Sequence, residues 1–418
     1  MNATVYQIWL SLALTPGGAL VHKLFDRFGS AENIYLATED DIAEVVGKQC
    51  RDLVALSDKD LTRAEEIYKL CCDKKIGILA YADDGYPKAF SDIPDPPALL
   101  YYRGTLPDFS SECFVSVVGT RRLTDYGRRN AYVIGYDLAS AGAVTVSGMA
   151  IGIDGVAHAG ALAAEGKNVA FLGCGIDRCY PSDHLTLARE IVKNGCIMTE
   201  YAPGTPPERF NFPKRNRLIA ALSCATVVVE GKMTSGAVIT ARLARKYGKE
   251  IYALPGNVDN VTSEVANVLI QNGARLIISA VDVVKDLENV YLGKVFVGKI
   301  KPKPQTAMDE ALLRYEISCV CPSDDIFTPA RKKRTRKAPV NTEADEVRVT
   351  AVDIEARVPE LDAETLCIYQ KIPCEGDISV DELVDETDKL NKVMKALLKL
   401  EMGRFVTMLP GERVKRIL

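Results

Sequence analysis

The chain has 418 residues, 47% of them hydrophobic and 26% charged, with a formal net charge of −4. These are the proportions of a soluble globular protein too long for one ordinary compact core, so two or three domains are expected. The slight negative charge excludes attraction to a polyanion through the whole-molecule field, and any such attraction must come from local patches. Twelve cysteines are present, and those at 113, 174, 196 and 224 fall in apparent core strands with no signal peptide ahead of them. They read as reduced thiols of a cytoplasmic protein. Only three histidines accompany them, and Cys71-Cys72 and Cys319-Val-Cys321 have the wrong spacing for zinc; neither a metal nor any other cofactor is expected. No apolar stretch approaches the ~20 residues a membrane helix requires.

Residues 1–72 carry helical periodicity (Ile8, Leu12, Leu14; Leu20, Leu24, Phe28; Ile42, Val45, Val46; Leu61, Ala64, Ile67), broken by Gly turns. This is a small all-helical module. A proline-rich extended stretch follows, ending in Leu99-Leu-Tyr-Tyr102. Strands are then expected at 114–118, 144–147, 169–172, 197–200, 226–230, 251–254 and 275–278. Helices are expected between them at 125–141, 157–165, 185–193, 217–222, 237–247 and 265–271. Strands this apolar are buried on both faces, so residues 76–295 are expected to form an α/β, doubly wound, mostly parallel sheet.

Residues 296–360 lose that rhythm and read as a flexible linker, with a basic run Arg331–Lys337 that suits either a polyanion or water. Residues 361–418 read as a winged helix: helices at 363–371, 380–386 and 390–400, then a hairpin of 404–408 and 413–417. The third helix has Lys389, Lys392, Lys395 and Lys399 on one broad face, but the second is acidic. Contact with DNA and contact with protein fit it equally.

In a doubly wound sheet the ligand sits beyond the carboxyl ends of the strands. There the loops Gly119–Arg122 and Phe210–Arg217 hold seven cationic or aromatic side chains. Phe210 and Phe212 can stack on bases, while Arg121, Lys214, Arg215 and Arg217 can pair with phosphates. Ser235-Gly236, opening a helix, offers backbone amides to an anion. The chain fails the G-x-G-x-x-G spacing after its first strand, and Gly231-Lys232 is followed by Met233 where a P-loop needs Ser or Thr. Ser147, Asp154 and His158 lie close in sequence but lack nucleophile-elbow spacing. Helix capping by Asp154 and packing by His158 explain them more simply.

Taken in order, Ser116-Val-Val-Gly-Thr-Arg121, Val146-Ser-Gly-Met-Ala-Ile-Gly-Ile-Asp154, Gly173-Cys-Gly175, Tyr180-Pro181, Phe212-Pro-Lys-Arg-Asn-Arg217, Val229-Glu230, Ser235-Gly236 and Pro255-Gly256 closely resemble the DNA processing protein A family. The resemblance implies a Rossmann-like fold, with an N-terminal helical domain resembling a sterile-alpha-motif fold and a C-terminal winged helix. It implies a non-enzymatic binder of single-stranded DNA that protects incoming strands in natural transformation, loads the RecA recombinase and forms a homodimer. Single-strand-binding protein is a candidate further partner. By the same resemblance, Gly119, Thr120 and Arg121 occupy the phosphate loop, Ser147 and Gly148 an S-G pocket, and Lys214, Arg215, Asn216 and Arg217 the F-P-x-R-N-R stretch. Ile151 stands where relatives usually have Arg, Gly231 where they have Ala, beside Lys232, and Val265 where the pattern has Gly. A second reading, a nucleotide-processing or nucleotide-sensing enzyme of the lysine-decarboxylase-like group, calls for a P-G-G-x-G-T-x-x-E pattern that the chain lacks.

Overall fold

The computed structural model describes residues 2–302 and, beyond them, 328–329, 363–373, 378–379, 383, 393, 396–397, 400, 406–409 and 413–416. It divides into two units, 1–332 and 333–418.

The first unit opens with α1 (Ala3–Ala13), α2 (Val21–Phe28), α3 (Ala31–Leu36), α4 (Glu39–Val46), α5 (Arg51–Ser57) and α6 (Thr62–Asp73). Side-chain caps start several of them: Asn2 accepts from the Thr4 amide, Ser30 from Asn33, and Thr38 forms a capping box with Asp41. α3 and α5 were not visible as periodic runs, because six or seven residues show barely two turns.

The sheet follows. Its strands are β1 (Gly77–Ala80), β2 (Leu99–Gly104), β3 (Phe114–Val118), β4 (Val144–Ser147), β5 (Asn168–Phe171), β7 (Gly195–Thr199), β8 (Ala225–Val228), β9 (Glu250–Ala253) and β10 (Arg275–Leu276). β6 (Arg178–Cys179) stands outside it and pairs with β11 (Thr328–Pro329). The order is β1-β2-β7-β5-β4-β3-β8-β9-β10. β1 and β2 are antiparallel to their neighbours, and every other pair is parallel. The expected doubly wound sheet is therefore present, enlarged by two antiparallel strands that the proline-rich sequence concealed.

Alternation along the strands makes three layers. Phe114, Val118, Val169, Phe171, Met198, Val228 and Ile251 point to one face, covered by α7 (Lys88–Ser91), α11 (Asn211–Leu222), α12 (Gly236–Lys246) and α13 (Glu264–Gln271). Val115, Val117, Val227 and Tyr252 point the other way, under α8 (Asp125–Ala141), α9 (Ile153–Ala163) and α14 (Ala280–Glu288). The rest of that second face, at Leu99, Tyr101, Ala170 and Ile197, is covered by α10 (Leu185–Lys193) and by the N-terminal helices, whose Ile8, Leu10, Leu24 and Ile67 belong to the same core. Past α14 the chain stays on the sheet unit: Val295 is fully buried and the Phe296 amide donates to Ala141 O at 3.0 Å.

In the second unit, helix Ala363–Lys371 accompanies an antiparallel sheet of Ile378–Ser379, Val406–Leu409 and Arg413–Arg416. The Arg416 guanidinium lies 4.3 Å from the Tyr369 ring centroid. Of the helices expected at 380–386 and 390–400, the described residues are Leu383, Val393, Ala396, Leu397 and Leu400, each helical and buried in the core of this unit. The basic run 331–337 lies outside the described residues.

Candidate nucleic-acid interface

β3 and β8 are neighbours whose onward connections run to opposite sides, which makes the crevice between their carboxyl ends the topological switch point. One carboxylate ties its two walls together. Glu230, just past β8 and 1% exposed, accepts from the Thr124 amide (2.7 Å), the Thr124 hydroxyl (2.8 Å) and the Thr262 hydroxyl (3.3 Å). Its backbone carbonyl takes the Thr120 amide at 2.9 Å. Thr124 in turn caps α8 by accepting from Gly127. Charge-assisted bonds of this kind fix a loop far better than neutral ones, so Gly119–Arg122 is held in register with Lys232–Ser235.

The Phe210–Arg217 segment is not the loop that its composition suggested: from Asn211 onward it is the first two turns of α11. Pro213 is tolerated because the first-turn amides have no intrahelical partner. The helical twist then sorts the side chains. Phe210 is exposed, Phe212 and Lys214 are half-exposed, and Arg215, Asn216 and Arg217 point inward.

Of the residues expected to meet DNA, Ser147, Gly148, Arg215, Asn216 and Arg217 are buried instead. Arg215, 3% exposed, does not face the rim; it donates to Gly148 O at 2.8 Å and also to Phe171 O. A Cβ on Gly148 would sit 2.4 Å from that guanidinium, so only glycine lets the strut pass. Burial pushes Arg215 down to about 10, still a cation at neutral pH, with Asp154 as its nearby countercharge. Arg217 is likewise internal: it donates to both carboxylate oxygens of Glu200 (2.7 and 2.5 Å), and its Nε lies 3.5 Å from Asp95. A guanidinium cannot leave water without such partners. Burial pushes Glu200 above the ordinary carboxylate range, and Arg217 works against that.

Arg121, Phe212 and Tyr180 remain together at the surface. The Arg121 guanidinium carbon lies 5.2 Å from the Phe212 ring centroid, and the Phe212 and Tyr180 rings are 5.3 Å apart. Gly173 makes room for this stack, since a Cβ there would be 2.9 Å from the Phe212 ring. Among the described residues, no ion pair occupies Arg121, Arg122, Lys214 or Lys232. Ser235 and Gly236 open α12, and the Ser235 hydroxyl has no partner among the described residues. Asn216 ties α11 to Gly236 O at 3.3 Å. Tyr180, Glu200 and Glu230 fall in conspicuous sequence motifs but were assigned no role there, and Asp95 was not singled out. The available signal was an acidic residue directly ending an apolar strand, as at Thr199-Glu200 and Val229-Glu230.

Ser147 and Asp154 are neighbours but His158 pairs elsewhere, so the three residues weighed for nucleophilic chemistry form no relay. Ser147 is fully buried and donates to Val117 O at 2.7 Å, Asp154 accepts from the Gly148 amide at 3.1 Å, and His158 pairs through Nδ1 with Asn168 Oδ1 at 2.8 Å. Asp154 holds the preceding loop rather than capping α9, whose N-cap is Gly152. Burial pushes His158 from its ordinary 6.5 down to about 4. Between those values the unfolded chain binds the extra proton, so stability present above pH 6.5 is lost as the pH falls through about 4. A drop of that size corresponds to roughly 3 kcal/mol at the acid end. Urea midpoints from pH 7 to pH 4 should fall less steeply in His158→Gln than in the parent; parallel curves would assign the acid sensitivity elsewhere.

These features define a doubly wound, Rossmann-like α/β protein with a cationic and aromatic rim beside the carboxyl ends of β3 and β5. The family model of DNA recombination-mediator protein A matches residues 77–288, and the chain belongs to that family. The DNA processing protein DprA of Streptococcus pneumoniae (strain ATCC BAA-255 / R6) is 38% identical over 215 residues, spanning 51% of this chain and 76% of that protein. Protein Smf of Synechocystis sp. is 36% identical over 269 residues, 63% of this chain and 67% of that one. The X-ray structure of DNA processing protein A from Streptococcus pneumoniae aligns with a TM-score of 0.59 and 32% identity, covering 68% of this chain and 98% of that chain. Among the described residues no helix is long and apolar enough to cross a membrane.

Proposed function

We propose that the chain binds single-stranded DNA along the Arg121–Phe212–Tyr180 rim without breaking a bond, protects incoming strands in natural transformation and loads the RecA recombinase onto them. It works in the cytoplasm as a homodimer formed through the Rossmann-like domain, with single-strand-binding protein as a further partner. The sterile-alpha-motif-like helices and the winged helix flank that domain. The observation that carries the reading is the juxtaposition of the half-exposed Phe212 ring and the exposed Tyr180 ring with the Arg121 guanidinium, which has no ion pair among the described residues. Rings at a rim can stack only on bases that are not already stacked in a duplex, and guanidinium and ammonium groups pair with phosphate whatever the sequence. The names of the relatives, DNA processing and recombination-mediator proteins, agree with this.

Fluorescence anisotropy with a labelled oligo(dT) and with a duplex of equal length tests it. Single-strand affinity is expected to exceed duplex affinity and to fall with salt, each phosphate pair contributing about 0.7 to the log–log slope. Lys214→Ala should remove about one such contact and Arg217→Met none. Equal affinity for both DNA forms, or a slope unmoved by Lys214→Ala, would defeat the assignment.

A further inference from the structure

Arg121 touches more than the Phe212 ring. It also lines a cleft of about 250 Å³ whose apolar walls include Ile151, left 48% exposed at a loop tip, and Leu187 on α10. Arg128, whose guanidinium also pairs with the exposed Asp125 at 2.7 Å, is a further lining residue, and Asp183 is the one carboxylate of the lining. At this volume the cleft lies below the ~300–1,000 Å³ of whole-ligand pockets, a size for one planar ring rather than a dinucleotide.

One polar group on the lining is oriented. His184 Nδ1 lies 3.0 Å from Met149 O, and a carbonyl can only accept, so Nδ1 carries the hydrogen. Burial pushes this imidazole below its ordinary value, which keeps it neutral near pH 7 and leaves Nε2 as an acceptor. Nε2 makes no hydrogen bond among the described residues. It lies beside Gly155, another lining residue, where a Cβ would stand 3.1 Å away. The cleft therefore offers apolar walls, one hydrogen-bond acceptor and two guanidinium groups on its lining.

We infer that this cleft receives one nucleobase of the bound strand, held edge-on by His184 Nε2 between Ile151 and Leu187, while Arg121 and Arg128 take the adjoining phosphates. The inference rests on the single-strand reading above and adds to it a second base position on the other contact of Arg121. All four DNA bases carry an N–H donor on an edge that is free in a single strand, so occupancy requires unpaired DNA but no particular sequence.

Photocrosslinking the full chain to an oligo(dT) with a single 5-iodouracil at each position in turn, followed by peptide mapping, tests this. Adducts are expected both in the Phe210–Phe212 segment and on cleft peptides containing Ile151 or His184. His184→Phe should lower the cleft adducts about fivefold, the effect of one lost hydrogen bond, and leave those at Phe210–Phe212 unchanged. The surface replacement Ile151→Gln, which takes away one apolar wall without adding charge or touching the core, should lower them as well. Adducts confined to Phe210–Phe212 would overturn the inference while leaving the rim reading intact. Cleft adducts indifferent to both replacements would also overturn it. So would cleft adducts formed by free 5-iodo-dUMP and not by the oligonucleotide, which would make the cleft a site for a free nucleotide. No adducts and no DNA binding anywhere would remove both readings together.

Discussion

Arg217→Met should destabilise the chain by about 3–5 kcal/mol, the cost of removing one partner from a buried ion pair. Lys214→Met, three residues earlier on the same helix, should stay within about 0.5 kcal/mol. The contrast follows from position. Arg217 is 2% exposed and donates twice to Glu200, whose side chain is 8% exposed and would be left as a buried, unpaired carboxylate. Lys214 is half-exposed and has no ion pair among the described residues, so its replacement strands no buried charge. Urea unfolding of the two variants beside the parent measures both costs. Glu200→Leu added to Arg217→Met should recover part of the loss, because the stranded charge is then gone. Equal costs for Arg217 and Lys214 would mean that the buried network contributes nothing.

Phe212→Ala is expected to weaken single-strand binding by about tenfold to a hundredfold, since one base on an aromatic face contributes ~1–3 kcal/mol and 1.4 kcal/mol is a factor of ten. Arg121→Ala should weaken binding too, and differently, by lowering the salt slope. The two losses should not add. Arg121 lies over the Phe212 ring, so removing either side chain frees the other from its preferred geometry. Anisotropy titrations of the two single variants and the double variant at three salt concentrations close the cycle. Strict additivity would show that ring and cation act on separate parts of the strand, against the continuous rim described above.

The sheet was legible because its parallel strands are short apolar runs with nothing to disguise them: 114–118 and 144–147 appear with the bounds read from sequence. β1 and β2 were hidden by Pro94, Pro96 and Pro97, which punctuate the chain just before β2 and gave it the look of an extended connector. The rim was legible as a set of loops and illegible as a surface. Charge density in Phe212–Arg217 identifies a polar stretch, but only the helical twist decides which of Lys214, Arg215 and Arg217 meets water, and Asn-Phe-Pro at a helix start carries little of the usual capping signal. The acidic partners that draw Arg217 inward come from Glu200 and Asp95, distant segments whose meeting no local pattern reveals.

The helices of residues 3–73 share one apolar core with Leu99, Ala170 and Ile197 of the sheet, and they carry Trp9, the only tryptophan of the chain. Trp9 is 4% exposed, with its indole N–H donated to Asp58 O at 2.9 Å. Because the two layers share that core, they are expected to melt together, which heating followed by tryptophan emission and by far-UV circular dichroism checks through coincidence of the two curves. Emission from a single indole buried far along the chain from Arg121 and Phe212 thus serves as a built-in gauge of whether the rim is intact, with no label near the DNA.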